Sequence, residues 1–331
     1  MINTSLRKLN NLKNNFVGKR IAVIGDMMLD CYFQGVVSRI SPEAPVPVVE
    51  VDDEFARFGG ALNVAYNIKT LGGIPLPIGI IGNDNDGKLL KKLMKNVGIT
   101  DSGIIIDNKR PTTAKTRVIA NNQHVVRIDK EKTSPISSNT EKKVLLFLKN
   151  EIKKLDAIIL QDYNKGVLTK GLIEKIIVLA NENKKIVTVD PKFHNFFTYK
   201  NVTVFKPNRK ETEDALGTKI KSTEEITIAG NKLLENLECK YALLTLGEGG
   251  IALFEKGKIE RRVPTKARKV ADVSGAGDTV ISTLTIALTA GADIYDAAYL
   301  ANYAGGLVCQ EVGIVPIDLN VLFNAVKEEL I

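Results

Sequence analysis

The sequence predicts an α/β fold with a mostly parallel central sheet and a small β-strand lid, and three features carry that expectation. Short continuous apolar runs recur along the chain, segments with helical spacing separate them, and two stretches rich in Val, Ile, Thr and Arg, at about 31–58 and 112–129, break the rhythm. Continuous apolar runs are the pattern of strands buried on both faces, and strand–helix alternation is the pattern of a parallel sheet covered by helices. Ligands of such sheets sit at the carboxyl ends of the strands, so residues just after each run are the ones to examine.

Taken in order, the first 20 residues carry Arg7, Lys8, Lys13, Lys19 and Arg20 with no acid, and Leu6, Leu9, Leu12 and Phe16 at helical spacing. They read as a surface helix leading into the first strand, with an organelle transit peptide as the alternative. Arg20–Gly25 is the first strand. Segment 31–58, with Pro42, Pro45 and Pro47, leaves that strand and returns to a helix that begins at Gly59 and Gly60 and carries Ala61, Val64, Ala65, Ile68 and Leu71, so it forms a strand pair over the open end of the sheet. Ile78–Ile81 is the next strand, and Leu89, Leu90, Leu93 and Val97 mark the helix after it. Between them Gly82–Lys88 matches the first seven positions of a P-loop, but Leu89 stands where Ser or Thr must hold Mg²⁺, and Asp84 and Asp86 repel phosphate, so this is a turn. After the second lid segment come strands at Ala157–Leu160, Ile186–Val189, Val202–Phe205 and Ala242–Leu246, with Leu172, Ile176 and Leu179 on an intervening helix.

Composition narrows the function classes. In 331 residues, 44% hydrophobic and 25% charged, the apolar content excludes disorder, and 26 Gly, 11 Pro and 3 Cys exclude collagen-like and disulfide-scaffold classes. The net charge of +8 is concentrated in the N-terminal segment and in 255–269, with Arg261, Arg262, Lys266, Arg268 and Lys269 in the second patch. Two patches on a near-neutral body differ from a basic groove, and without an aromatic-and-basic stripe a nucleic-acid partner is not expected. Cys31, Cys239 and Cys309 have no CxxC spacing and only His124 and His194 exist, which disfavours a zinc cluster or a Ser/Cys–His nucleophile. With no run of 18 apolar residues and no secretory h-region, the expectation is a cytoplasmic protein with no membrane partner. No G-x-G-x-x-G follows the first strand, which disfavours a dinucleotide enzyme.

The strongest chemical signal is Asp272-Val-Ser-Gly-Ala-Gly-Asp-Thr279, which opens the apolar helix Val280–Ala290. Gly275 and Gly277 let backbone N–H groups converge at a helix N-terminus, where unpaired donors and the dipole favour an anion. Asp278 inside that turn is either a catalytic base aimed at a hydroxyl attacking the bound phosphoryl group or an ordinary capping Asp.

This segment resembles the second signature of the ribokinase-like (PfkB) sugar kinases. Gly59-Gly-Ala-Leu-Asn63 resembles the first signature, and Pro207-Asn-Arg-Lys-Glu211 is similar to the N-x-x-E motif. The runs Gly25–Asp30, Ser38–Val48, Gln161–Gly166 and Val189–Lys192 are similar to those of the D-glycero-β-D-manno-heptose 7-phosphate kinases of lipopolysaccharide assembly, and the resemblance covers roughly 19–320. It implies a single three-layer α/β/α ribokinase-like domain over 1–331, with 31–58 and 112–129 as the lid.

The implied roles follow residue by residue. Asp278 is the general base, and the backbone N–H groups of Gly275, Ala276 and Gly277 stabilise charge on the transferred group. Asn208 and Glu211 organise Mg²⁺ through water. Thr245, Gly247 and Gly250 approach the ATP phosphates, Asn302 lies at the adenine wall, and Asp272 with the Ser274 carbonyl belongs to a monovalent-cation site, for K⁺, in which Ser274 replaces the usual Thr. On the sugar side stand Asp26, Asp30, Gly59, Gly60, Asn63 and Asp162, with Lys115, Arg117, Arg127 and Lys192 as cations for a sugar phosphate. The implied activity is phosphorylation of O1 of the heptose 7-phosphate by ATP, or the same chemistry on fructose phosphate, ribose or a nucleoside. Bifunctional relatives carry a nucleotidyltransferase domain after the kinase; this chain is expected to be the kinase alone, and a homodimer paired through exposed lid edges.

Overall fold

The computed structural model describes residues 5–121, 123–265, 270–311 and 313–329. The chain runs α1 (Leu6–Phe16), β1 (Arg20–Gly25), β2 (Met27–Ile40), β3 (Pro47–Gly60), α2 (Ala61–Thr70), β4 (Ile74–Ile81), α3 (Asn85–Asn96), β5 (Gly103–Ile106), β6 (Thr113–Ala120) and β7 (Gln123–Lys130). It continues α4 (Ser138–Glu151), β8 (Ala157–Gln161), α5 (Lys170–Glu182), β9 (Ile186–Asp190), β10 (Val204–Phe205), α6 (Arg209–Leu216), α7 (Thr223–Leu237), β11 (Tyr241–Thr245), β12 (Ile251–Glu255), β13 (Arg261–Val263), α8 (Ala276–Thr289), α9 (Ile294–Val308) and α10 (Leu319–Glu328).

Nine strands form the large sheet in the order β13-β12-β11-β10-β9-β8-β1-β4-β5. Every pairing from β11 through to β5 is parallel, and only β12 and β13 run antiparallel at one edge. The buried residues of β1 alternate between two cores, as a period of two requires. Ile21 and Val23 pack with α1, α2, α8, α9 and α10, whereas Ala22 and Ile24 pack with α4, α5 and α7. The sheet is therefore the middle of three layers.

The four remaining strands make a second sheet, β3-β2-β6-β7, with β2 and β3 paired from Met27 opposite Gly60 to Ile40 opposite Pro47 and interrupted by register shifts at Gln34/Gly35 and Val37/Arg39. These are the two segments expected as a lid; the strands run a few residues further than 31–58 and 112–129 because β2 follows β1 after Asp26 alone. Gly59 sits so close to β2 that a Cβ there would lie 2.3 Å from Asp30 Oδ2. Asp84 caps α3 by accepting from the Gly87 N–H at 2.9 Å, so the P-loop-like stretch is a helix-start turn, as expected.

Candidate active site

The sheet topology brings the carboxyl ends of β8, β9, β10 and β11 to the N-terminus of α8, and a cavity of about 1040 Å³ opens there. Gly275 is the N-cap of α8 at φ +79°, a backbone state that glycine adopts without strain, and no side chain caps the helix. The N–H groups of Gly277 and Asp278 find no acceptor among the described residues, so two donors at the positive end of a helix dipole face the cavity.

Asp278 occupies the third position of α8 and does not cap it. Its Oδ2 accepts from Asn63 Nδ2 at 2.8 Å, and its Oδ1 accepts from Gln161 Nε2 at 3.0 Å and from the Tyr163 hydroxyl at 2.9 Å. Burial pushes its carboxyl pKa up to about 7; Asp190 adds to the rise, while the Asn63 and Tyr163 donors and Lys206 oppose it. A carboxylate poised near neutrality beside an anion-binding helix terminus can take a proton from a hydroxyl approaching a bound phosphoryl group.

Most residues expected on the nucleotide side are brought together. Asn208, Glu211, Thr245, Gly247, Gly250, Gly275, Ala276, Gly277, Asp278 and Asn302 all line the cavity. Asn208 and Glu211 form a reciprocal capping box at the start of α6, with the Glu211 N–H donating to Asn208 Oδ1 at 2.8 Å and the Asn208 N–H to Glu211 Oε2 at 2.9 Å. Glu211 is also ion-paired with Lys192. Burial works against the charge on Lys192, but Asp190 and Glu211 outweigh it and raise its pKa. Lys192 therefore lines this cavity, above the Tyr163 ring at 5.5 Å, rather than standing with the lid cations. Asn302 donates to the Pro264 carbonyl at 2.7 Å, and Gly305 and Gly306 on the same helix also line the cavity.

Two sugar-side candidates are engaged with the protein itself. Asp26 is buried and accepts from the backbone N–H groups of Tyr163, Lys165 and Val167 at 2.8, 3.1 and 3.2 Å, so it shapes the loop after β8. Burial, with Asp162 nearby, pushes its pKa up to about 6 against those three donors. Asp162 is likewise buried, accepting from the Tyr199 hydroxyl at 2.7 Å and the Asn164 N–H at 2.8 Å, and it does not line the cavity. Both arrangements have one cause: a loop that crosses the end of a sheet must satisfy its own amides, and the nearest carboxylates do it.

Asp30, Lys115, Arg117 and Arg127 lie on one face of the lid by register. Arg117 is ion-paired with the buried Asp30, whereas Lys115 and Arg127 share Asp129 at 3.0 and 2.9 Å, and Lys115 also reaches Glu131 at 3.2 Å. Asp272 ties the turn before α8 to the following segment, accepting from the N–H of Ser274 at 2.9 Å and of Gly313 at 3.1 Å. Of the second basic patch, Lys266, Arg268 and Lys269 lie outside the described residues. Arg261 stacks over Tyr295 at 4.8 Å and Arg262 is paired with Glu260, and neither lines the cavity.

Four cavity or base contacts were not singled out from sequence: Gln161, Tyr163, Asp190 and Lys206. Lys206 and Asp190 form a buried ion pair at 3.1 Å, and a Cβ on Gly277 would lie 3.9 Å from Lys206 Nζ, so this ammonium faces the head of α8. Its signal was a lysine directly after an apolar strand and directly before the Pro207–Glu211 motif. Arg57, opposite Asp30 in the lid register, was also missed; its guanidinium lies 5.3 Å from the Phe55 ring centroid and donates to the Ile314 carbonyl at 2.8 Å.

Comparison with known proteins bears on this arrangement. Residues 19–318 match the pfkB family carbohydrate kinase profile. The bifunctional protein HldE of Desulfatibacillum aliphaticivorans is 44% identical over 303 residues, which are 92% of this chain and 62% of that protein, so the chain spans less than two thirds of the curated relatives it matches. In three dimensions the chain resembles the ribokinase of Arabidopsis thaliana solved with ribose and ATP (TM-score 0.74, 18% identity, 94% and 99% of the two chains). It also resembles phosphofructokinase-2 of Escherichia coli solved with potassium (TM-score 0.74, 16% identity, 94% and 99% of the two chains). The three-layer fold with its lid is the ribokinase-like one that the sequence led us to expect.

Proposed function

The chain belongs to the pfkB family of carbohydrate kinases, and from that premise we propose that it transfers the γ-phosphoryl group of ATP to O1 of D-glycero-β-D-manno-heptose 7-phosphate, giving the 1,7-bisphosphate and ADP. The observation that carries the phosphoryl-transfer part is Asp278, a buried carboxylate with a pKa pushed up to about 7, beside two amides of a helix N-terminus that have no acceptor among the described residues, in a cavity of about 1040 Å³. In this reading Asp278 takes the proton from the attacking hydroxyl while the amides of Gly277 and Asp278 hold the transferred oxygens; the Ala276 N–H, also expected there, donates instead to the Val273 carbonyl at 3.3 Å. Phosphoryl transfer is loose and depends chiefly on positioning and charge, so donors set in advance at that point contribute most; removing one such donor costs about 10²–10³ in rate. Lys206 and Lys192 line the same side, paired with Asp190 and Glu211.

Mg²⁺ would be held at Asn208 and Glu211. The described residues contain no group of three or more His, Cys, Asp or Glu able to ligate a metal, so the donor set fits a cation that keeps its waters and takes its remaining oxygens from phosphate. When bound, it supplies charge neutralisation on the β- and γ-phosphates. Asp272, which orders the turn beside the anion-binding amides, is proposed to hold K⁺, a reading supported by the neighbour solved with potassium.

The heptose assignment rests on the Ser38–Val48 lid run and on HldE, the curated relative at 44% identity. With that assignment goes the proposal of a cytoplasmic enzyme that makes a precursor for lipopolysaccharide core assembly; among the described residues no helix is long and apolar enough to cross a membrane. A homodimer through the lid is supported by exposed Val126 and Ile128 on its edge strand β7. ADP release measured across heptose 7-phosphate, fructose phosphates, ribose and nucleosides tests the substrate: heptose 7-phosphate should have the highest kcat/KM, and a better turnover of any other sugar overturns the assignment.

A further inference from the structure

We propose that Tyr163 is a positioning residue for Asp278: its hydroxyl fixes one carboxylate oxygen and keeps the carboxylate ionised at working pH, while its ring carries Lys192 at the mouth of the same cavity. The proposal rests on the reading of Asp278 as the base.

The geometry around Tyr163 is unusually determined for a loop. Asp26, itself buried, takes the N–H groups of Tyr163, Lys165 and Val167, so the backbone on both sides of the ring is anchored to the end of β1. Asn164 and Gly166 both have positive φ, at 56° and 84°, and a Cβ on Gly166 would lie 2.3 Å from the Ser134 carbonyl oxygen, which leaves the loop no room to slide. Held this way, the ring lines the cavity, the hydroxyl donates to Asp278 Oδ1 at 2.9 Å, and Lys192 Nζ lies 5.5 Å from the ring centroid. One aromatic side chain thus touches both the base and a cation that faces the phosphate side.

Other groups also bear on Asp278, and they define what Tyr163 adds. Gln161 at the end of β8 donates to the same Oδ1, Asn63 from α2 donates to Oδ2, Asp190 at the end of β9 repels its charge, and Lys206 after β10 attracts it. Gln161 Nε2 has two N–H donors, one for Asp278 and one for Asp190 Oδ2 at 3.3 Å, whereas the single Tyr163 O–H goes to Asp278, with no second acceptor among the described residues. A donor to a carboxylate favours the ionised form. The phenol itself stays neutral, because burial, and then Asp278 and Asp190, push its pKa well above the ordinary value. Removing the hydroxyl should therefore raise the pH at which Asp278 ionises, without disturbing the nucleotide site.

The test is the pH profile of kcat/KM in Tyr163→Phe, which keeps the ring and its contact with Lys192. The acid-side inflection should move up by about one pH unit, as expected for the loss of one charged hydrogen bond. The rate should fall about tenfold more below the inflection than above it, Tm should fall by about 1–3 °C, as the loss of one hydrogen bond to a buried charge implies, and ATP affinity should be unchanged. Tyr163→Leu, which removes the ring as well, should show the same displaced inflection together with a raised KM for a phosphorylated substrate. If Tyr163→Phe keeps the original inflection and loses activity equally at all pH values, the hydroxyl does not tune the base and the proposal fails while the base reading stands. An inflection that persists in Asp278→Asn overturns the base reading and the proposal with it.

Discussion

Replacing Gly277 by Ala separates a folding role from a catalytic one at the head of α8. The position has no positive φ, and a Cβ there would meet nothing closer than Asp190 Oδ2 at 3.8 Å and Lys206 Nζ at 3.9 Å, so the substitution fits the fold without strain. Alanine is favoured over glycine in a helix by up to about 1 kcal/mol, which should leave Tm unchanged or raise it by about 1–3 °C. The same methyl group, however, projects into the cavity beside the free amides of Gly277 and Asp278. A phosphoryl oxygen must come within about 3 Å of those nitrogens, whereas a carbon atom needs about 3.5 Å of clearance, so the group is displaced and donors are lost. The expected loss in kcat/KM is about 10²–10³, read by ADP release under saturating and limiting ATP, with thermal unfolding measured on the same sample. Activity within about threefold of the starting enzyme would refute the phosphoryl site at this turn. A drop in activity accompanied by a fall in Tm would refute the claim that the position is sterically free in the fold.

The lid cations and the neighbouring glycine give further outcomes. Arg117→Met leaves the buried Asp30 without its partner and should lower stability by several kcal/mol, toward the lower end of the ~3–5 kcal/mol found for a broken buried pair, as read by urea unfolding. Arg127→Met removes an exposed ion pair with Asp129 and should change stability by less than about 1 kcal/mol, so equal costs at the two positions would contradict the burial argument. Gly275→Ala, at φ +79° with a Cβ only 3.1 Å from Asn63 Nδ2, should lower Tm, in contrast to Gly277→Ala two residues away.

The fold was largely legible because its strands are buried on both faces and so read as continuous apolar runs; Arg20–Gly25 and Ala157–Gln161 fall where those runs end. What escaped had weaker local signals. Strand β5 is four residues long, and β12 and β13 lie at the antiparallel edge, where the Gly247–Gly250 turn reads first as a phosphate loop; it serves as the hairpin turn and also lines the cavity. The site divided along a similar line. Asp278 and the Gly275–Gly277 turn act through local backbone geometry and were visible in one motif. Tyr163, Asp190 and Lys206 matter through partners 115, 88 and 72 positions away in the chain at Asp278, and only the strand order brings them together. Asp26 and Asp162 were assigned to a ligand because an acid after a strand has two readings, and the amides that occupy them belong to a loop whose path no local pattern fixes.

The central claim is that Asp278 is the base of the phosphoryl transfer, and the pH dependence of kcat/KM in the starting enzyme and in Asp278→Asn tests it most directly. The base works ionised, and burial raises its pKa to about 7, so activity should be full above that value and should fall about tenfold per unit as the pH drops below it. Asp278→Asn should bind ATP as before, lose about 10²–10⁴ in kcat, and show no inflection near 7. Near-normal turnover in that variant, with the inflection still in place, would contradict the account.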